Sequence, residues 1–425
     1  MGLKIAVVGG GSTYTPELIE GFVSRLDRLP LDELVLMDID AERREVVGGL
    51  AERMLKAAGY DGALTVTDDL DRALEGASFV LIQLRVGGQE ARLSDETIPL
   101  ACGCIGQETT GAGGLGKALR TVPVVLDIAA RVRELAEPDA WIVDFTNPVG
   151  IVVRGLLDAG HRAVGLCNVA IGFQRAIAPL LGVEPERVLI DQVGLNHLTW
   201  VRAVRVDGTD VLPELLADHC DELADMVPPA LLQRLGAIPS YYLHYFYLHD
   251  EELERQRTGT PRAAEVAGIE RDLLELYRDP NLTTKPKLLE RRGGAYYSDA
   301  ATQLVRSLAT GDGEVQVVDV RNNGTLAGLA DDDVVELPAR ISSNGAEPLP
   351  QEPLAPELLG LVQHVAAYER LAVEAAMTGD RDLVYKALLA HPLIGQIPQV
   401  EELVETLLKE GRAHLPQFEP REVSA

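Results

Sequence analysis

Two short stretches carry the residue types that bind metal. Cys167-Asn168 follows the apolar run 163–166, and Asn196-His197 follows Gly194-Leu195. A thiolate and an imidazole together suit a borderline-soft divalent ion such as Zn, Mn, Fe, Co or Ni. Two protein ligands leave coordination positions open, which suits catalysis on a substrate that completes the shell. The alternative is a buried thiol and a satisfied core histidine. Residues 239–247 hold Tyr241, Tyr242, Tyr245 and Tyr247, in a chain with only 11 tyrosines. Such a run is ordinarily an aromatic cluster, but a tyrosine beside a divalent cation can give up its proton and act as a base. Arg85 and Arg92 follow the apolar run 79–84. Paired guanidinium donors there can clamp a phosphate or carboxylate, or simply pair with Asp95 and Glu96. Arg291-Arg292-Gly293-Gly294 is a second anion clamp or a surface loop. Cys102-x-Cys104 reads as two buried thiols, and His219-Cys220 with His244 and His249 has no recognised zinc spacing.

These residues need a frame. Residues 4–8 are an apolar run of strand length, typical of a strand buried on both faces. The run enters Gly9-Gly10-Gly11-Ser12, and a helix is expected from about Pro16 to Arg28. A glycine turn between strand and helix frees backbone N–H groups at the positive end of the helix dipole, where a pyrophosphate binds. The fit to G-x-G-x-x-G is partial: Gly9 and Gly11 supply two glycines, but the third position is Tyr14. Ser12 and Thr13 could donate hydroxyls instead. An ordinary tight βα turn is the alternative. Asp38 ends the second strand, 33–37, where an acid accepts hydrogen bonds from ribose hydroxyls and repels a 2′-phosphate, favouring NAD over NADP. Asn147, before Pro148, directly follows strand 141–145. It can bridge cofactor and substrate, or only start a turn. Stretch 106–114 holds too many glycines for a regular element and predicts a loop, either approaching a ligand closely or simply mobile.

Strands alternate with helices to about residue 165, which predicts a parallel sheet. Beyond it the pattern changes: strands at 188–194, 198–206, 314–321 and 333–339, with 198–206 paired back after Asp207-Gly208. The tail 358–408 reads as amphipathic helix. The expected fold is α/β. Residues 1–165 form a NAD-binding Rossmann domain with a mostly parallel sheet, and 166–425 a metal- and substrate-binding α+β domain. A net charge of −27 argues against nucleic acid and anionic membranes as partners. A few arginines can still line a positive pocket. Four cysteines and no export-like or membrane-spanning run predict a reducing, cytoplasmic setting with free or metal-bound thiols.

The motifs, in order, are Gly9-Gly10-Gly11-Ser12, Arg85-Val86-Gly87-Gly88, Asp95-Glu96-Thr97-Ile98-Pro99, Gly106-Gln107-Glu108-Thr109, Asn147-Pro148, Cys167-Asn168 and Gly194-Leu195-Asn196-His197. Together they resemble glycoside hydrolase family 4, the NAD- and metal-dependent glycosidases, over nearly the whole chain. This family is an exception to two-carboxylate hydrolysis. The resemblance implies a fold like lactate and malate dehydrogenases, NAD at the Rossmann turn, and Mn²⁺ or another divalent metal on Cys167 and His197. It implies substrate contacts from Arg85, near a sugar 6-phosphate, and from Asn147, with Asn168 and Arg292 also at the substrate. The family's base lies in a Tyr-Leu-x-Tyr setting, which Tyr242-Leu243-His244-Tyr245 matches, with Tyr241 the neighbouring candidate. Members acting on α-linked 6-phosphoglucosides resemble Cys-Asp where this chain has Cys167-Asn168. An amide cannot deliver the proton that the acid would, so the resemblance leans to the 6-phospho-β-glucosidase branch. Residues 292–298 also resemble that branch.

The implied reaction removes hydride from C3 and a proton from C2, eliminates the aglycone from C1, adds water and returns the hydride. A phosphorylated disaccharide or aryl glucoside is the implied substrate, and a homodimer or homotetramer the implied assembly. Three alternatives stand beside it: a NAD-dependent 2-hydroxy-acid dehydrogenase, an α-specific member of the same family, and a non-catalytic NAD(H) sensor.

Overall fold

Six parallel strands carry the N-terminal half of the computed structural model, which describes residues 2–294 and 296–419. They are β1 (Leu3–Val8), β2 (Leu31–Met37), β3 (Ala63–Thr67), β4 (Phe79–Ile82), β5 (Trp141–Asp144) and β6 (Ala163–Gly165). Their spatial order, β3-β2-β1-β4-β5-β6, is that of dinucleotide-binding sheets. All four residues of β4 and the last four of β1 are buried, because helices cover both faces and leave no side for polar residues. Seven helices belong to this half or lead out of it: α1 (Thr15–Val23), α2 (Ala41–Ala57), α3 (Leu70–Leu74), α4 (Gly88–Ala101), α5 (Gly111–Leu135), α6 (Val149–Asp158) and α7 (Val169–Leu181). Pro16 sits in the first turn of α1, where a missing N–H costs nothing. This helix ends at Val23, short of the expected Arg28, and residues 25–29 close the connection with turn hydrogen bonds.

The expectation of a loop over 106–114 fails in its second half. Gly111, Gly113 and Gly114 open α5. Gly111 takes φ +63°, and Gly113 and Gly114 serve close packing. A Cβ on Gly113 would stand 2.2 Å from the Asp95 carbonyl oxygen, and one on Gly114 2.8 Å from the Thr109 carbonyl carbon.

Beyond β6 the same sheet continues as antiparallel strands. These are β7 (Val188–Leu195), β8 (Leu198–Val206), β9 (Thr209–Asp210), β10 (Ile238–Pro239), β11 (Val315–Arg321), β12 (Val334–Ser342) and β13 (Gly345–Pro348). The β11–β12 hairpin lies between β6 and β7. One cross-strand row runs Asp144, Gly165, Asp319, Glu336, Gly194. The strand after Asp207-Gly208 pairs with β8, as expected. The expected tail helix is three helices, Pro356–Thr378, Arg381–Ala390 and Ile397–Glu410, broken at Gly379 and between Ala390 and Ile397. One apolar core runs under both halves. Among the described residues, no helix is long and apolar enough to cross a membrane.

Candidate active site

The crevice at the carboxyl ends of β1 and β4 is where the strand order reverses, and open α/β sheets bind ligands there. A cavity of about 1160 Å³ opens from it. At one end it is lined by Gly9, Ser12 and Asp38, and at the other by Arg85, Asn147, Asn168, Tyr242 and Tyr297. Gly9 takes φ +87°, and a Cβ there would lie 2.7 Å from the Gln83 carbonyl oxygen, so only glycine fits between β1 and β4. The Gly11 N–H donates to Asp38 Oδ2 at 2.9 Å, and the Asp40 N–H to Asp38 Oδ1 at 3.0 Å. Asp38 is thus fixed at the mouth of the turn with lone pairs to spare. Ser12 accepts from the Tyr14 N–H at 3.2 Å. Thr13 is fully buried and its hydroxyl is spent: it donates to Glu270 at 3.2 Å and accepts from Arg292 Nε at 2.8 Å.

Arg292 therefore stands beside the glycine turn, held also by Glu270 at 2.9 Å, and it shares the cavity with Arg85. Ala295, within the stretch 292–298, lies outside the described residues. Glu270 was not singled out from the sequence. It sits on helix Arg262–Tyr277 among the buried Val266, Ile269, Leu273 and Tyr277. An acid inside an apolar helical stripe is the signal that would have found it. Burial opposes its ionisation, but Arg292 and Arg43 outweigh burial and hold its carboxyl down at about 2.

At the far end one carboxylate gathers three cations. Glu108 pairs with Arg85, with Arg92 at 3.0 Å and with Lys117 at 2.6 Å. Burial raises its pKa, yet the three cations keep it well below the usual carboxylate range. Burial, and then Arg85, lower Lys117 to about 7. Arg92 also bonds Glu96 at 2.9 Å, while Asp95 binds Arg120 at 2.8 Å. The two arginines after β4 are thus bridged to carboxylates and still line the cavity. Lys117 was not singled out from the sequence; it lies in the second turn of α5, just past the stretch 106–114 that was expected to be loop.

Behind the cavity wall the structure gathers the metal-ligand candidates. His197 is buried, and neither ring nitrogen has a hydrogen-bond partner among the described residues. Burial, then Lys117, drop its pKa to about 3, so the ring is neutral with a lone pair free. Tyr242 stacks on it with centroids 3.8 Å apart. Tyr241 meets Tyr242 edge-on at 5.5 Å and is 42% exposed, so the structure sets Tyr242, not Tyr241, against His197. Cys167 is buried, with Sγ 3.7 Å from the Tyr297 hydroxyl and 3.8 Å from Asn168 Oδ1. Burial, then Glu336, push its thiol up. Burial, then Cys167, push the Tyr242 phenol well up. Asn147 Oδ1 is buried without a partner among the described residues, and Asn147 neighbours Tyr297. An orphaned neutral imidazole beside a thiol and the unpaired amide oxygen of Asn147 fits a divalent cation. Among the described residues no third His, Cys, Asp or Glu joins them as a ligand group. Cys102 and Cys104 are free, buried thiols, and Cys220, which does not line the cavity, bonds the Pro229 carbonyl.

A dinucleotide-type sheet with this site defines a family. Residues 4–183 match the model of family 4 glycosyl hydrolases, and residues 192–394 the C-terminal domain of the same family. The chain belongs to that family. It is 42% identical over 434 residues to the probable 6-phospho-beta-glucosidase of Bacillus subtilis (strain 168), covering 98% of each chain. It superposes on the 6-phospho-beta glucosidase of Thermotoga maritima, crystallised with NAD and glucose-6-phosphate, with a TM-score of 0.91. The sequence identity is 36%, and 96% of this chain and 98% of that one are covered. A further crystal of the Thermotoga protein holds manganese as well. The phospho-alpha-glucosidase PagL of Clostridium acetobutylicum is 28% identical over 97% of this chain and 98% of its own.

Proposed function

We propose that this protein hydrolyses 6-phospho-β-glucosides by oxidation at C3, deprotonation at C2, elimination at C1, addition of water and re-reduction. The observation that carries the proposal is the buried His197 ring, unpartnered at both nitrogens among the described residues and stacked on Tyr242. NAD would supply the hydride acceptor and donor, and Mn²⁺ or another divalent cation the positive charge that acidifies the C2 proton.

The chain's own residues take the remaining parts. Cys167, as thiolate, and His197 would hold the cation. Tyr242 would remove the C2 proton. Its phenol is pushed up in the protein alone, so it needs a nearby positive charge to work as a base. Arg85 would bind the 6-phosphate. The Glu108 carboxylate holds it in place until a stronger anion arrives. Asn147 and Asn168 would hydrogen-bond the sugar. Gly9, Gly11, Ser12 and Asp38 would hold NAD, with Thr13 acting through Arg292. The β branch is supported by Asn168, whose amide has no acidic proton, and by the higher identity to β-named relatives. The division at residue 165, assembly as a homodimer or homotetramer, and a cytoplasmic setting belong to the same proposal.

The test is a panel of α- and β-nitrophenyl glycosides with and without 6-phosphate, given NAD, Mn²⁺ and a reductant. Release of nitrophenol from the phosphorylated β-glucoside, with solvent deuterium at C2 of the product, is expected. Turnover without deuterium at C2 would sink the elimination route. Cys167→Ser should lose cation and activity while still binding NAD.

A further inference from the structure

His197 reaches its place through a strained turn. The last β7–β8 pair is Leu195 with Leu198, so Asn196 and His197 alone make the reversal. His197 takes φ +64°, a left-handed conformation that glycine and asparagine tolerate best. Gly194, just before the turn, takes φ +152°, and a Cβ there would stand 2.1 Å from the Leu198 carbonyl oxygen. The strands therefore close tightly over this corner. No side chain of the described residues hydrogen-bonds the His197 ring, whose other neighbours are the stacked Tyr242 and the Thr109 backbone, so the backbone corner sets where the ring enters the site.

That corner is tied to the sheet from one side. Glu336 lies on β12 directly opposite Gly194 and is buried. Its Oε2 accepts from Asn196 Nδ2 at 2.8 Å, and its Oε1 accepts from Gln192 Nε2. The carboxylate thus bonds a residue inside the turn and one in the strand feeding it. We propose that Glu336, through Asn196, is the positioning residue that aims His197 at the cation and thereby sets cation affinity. The inference rests on the reading of His197 as a ligand. It assigns work to a hairpin, β11–β12, that separates the strands delivering Cys167 and His197.

The full-length protein, with NAD bound, would be titrated with Mn²⁺ and free Mn²⁺ read by electron paramagnetic resonance. Losing an outer-shell partner of a ligating histidine typically weakens metal binding by about 10–100-fold. Glu336→Ala should weaken Mn²⁺ by that factor and leave NAD affinity unchanged. Glu336→Gln should stay within about threefold. Its amide oxygen can accept from Asn196, and its NH₂ can donate to Gln192 Oε1, which has no partner among the described residues. Asn196→Ala should match Glu336→Ala, and the double variant should lose no more than either single. Unchanged Mn²⁺ affinity in Asn196→Ala, multiplying losses in the double variant, or equal weakening by Gln and Ala would each overturn the proposal. If Glu336→Ala fails to bind NAD and so to fold, the Asn196→Ala and Glu336→Gln results decide alone. His197→Ala separates the two readings. If it binds Mn²⁺ as the parent does, the ligand assignment fails. If it loses Mn²⁺ while Asn196→Ala does not, only the positioning role fails.

Discussion

The glycine turn at one end of the cavity and the metal-ligand candidates behind its far wall treat their polar groups differently. At the glycine turn the charged and hydroxyl groups are paired: Asp38 with Gly11 and Asp40, Thr13 with Glu270 and Arg292, Arg43 with Glu270 at 2.9 Å. Behind the far wall, past the paired Glu108 cluster, both His197 nitrogens and Asn147 Oδ1 are buried without hydrogen-bond partners by geometry among the described residues. A buried polar group left unpaired costs about 1–3 kcal/mol, so the second end is paid for by the rest of the fold and is completed by what binds there. A pre-paired turn suits a cofactor that stays through turnover. An unpaired pocket suits a cation and a sugar whose charge changes during the reaction.

The largest test of this contrast is at the unpaired end. Tyr242→Phe keeps the stacked ring and removes the phenol. A positioned base contributes about 10²–10⁴-fold. We expect kcat on a 6-phospho-β-glucoside to fall by about that factor, with Mn²⁺ and NAD affinity retained. Tyr241→Phe, one residue away and 42% exposed, should change kcat by less than about threefold. The reverse ranking would move the base and undo the assignment.

The paired end should answer in stability. Glu270→Gln leaves Arg43 and Arg292 facing a neutral amide in a buried setting. Breaking such a pair costs about 3–5 kcal/mol, read by urea unfolding at pH 7. The Glu270 carboxyl is depressed to about 2 in the folded protein, so its contribution is present above the ordinary value of 4.5. It is lost as pH falls from 4.5 toward 2, and the gap between parent and variant should close over that window.

The same contrast explains what could be read from the sequence. The parallel strands and the glycine turn were legible because apolar runs and Gly9, Gly11 and Asp38 are close in the chain. Cys167, His197 and Tyr242 were visible as chemistry, but only folding could bring Tyr242 and not Tyr241 against His197. Glu270 and Glu108 were not picked out. Their importance comes from partners more than 200 residues away for Arg43 and Glu270, and across a loop–helix boundary for Glu108 and Lys117. The glycines at 113 and 114 misled, because glycine there serves close packing inside a helix and not loop freedom.

A smaller effect is expected at Gly11. A Cβ there would lie 2.8 Å from the Asp38 carboxylate and 2.9 Å from Arg43 Cβ. Gly11→Ala must push Asp38 off the Gly11 N–H, a strain of about 1–3 kcal/mol. NAD affinity should fall by about tenfold, while Mn²⁺ affinity stays as it was. Loss of both together would mean that the two ends are not separate.

The mildest test uses the other buried histidine, His391, which lies outside the cavity but braces the loop that carries Glu108. Its Nε2 accepts from the Gly111 N–H at 3.1 Å and lies 3.3 Å from Thr110 Oγ1. Unlike His197, it is therefore a histidine whose polar edge is used by the fold itself. Burial, then His364, lower its pKa to about 3, against an ordinary 6.5. Below pH 6.5 the unfolded chain takes up a proton that the folded ring refuses. Stability should then fall by about 1.4 kcal/mol for each pH unit until about pH 3. His391→Gln keeps an acceptor for Gly111 but does not titrate. Unfolding of this variant, followed from pH 7 down to pH 5, should lose that share of the slope while turnover at pH 7 changes little. An unchanged slope would mean that His391 is protonated in the folded protein, and that the loop is braced by charge and not by a neutral acceptor.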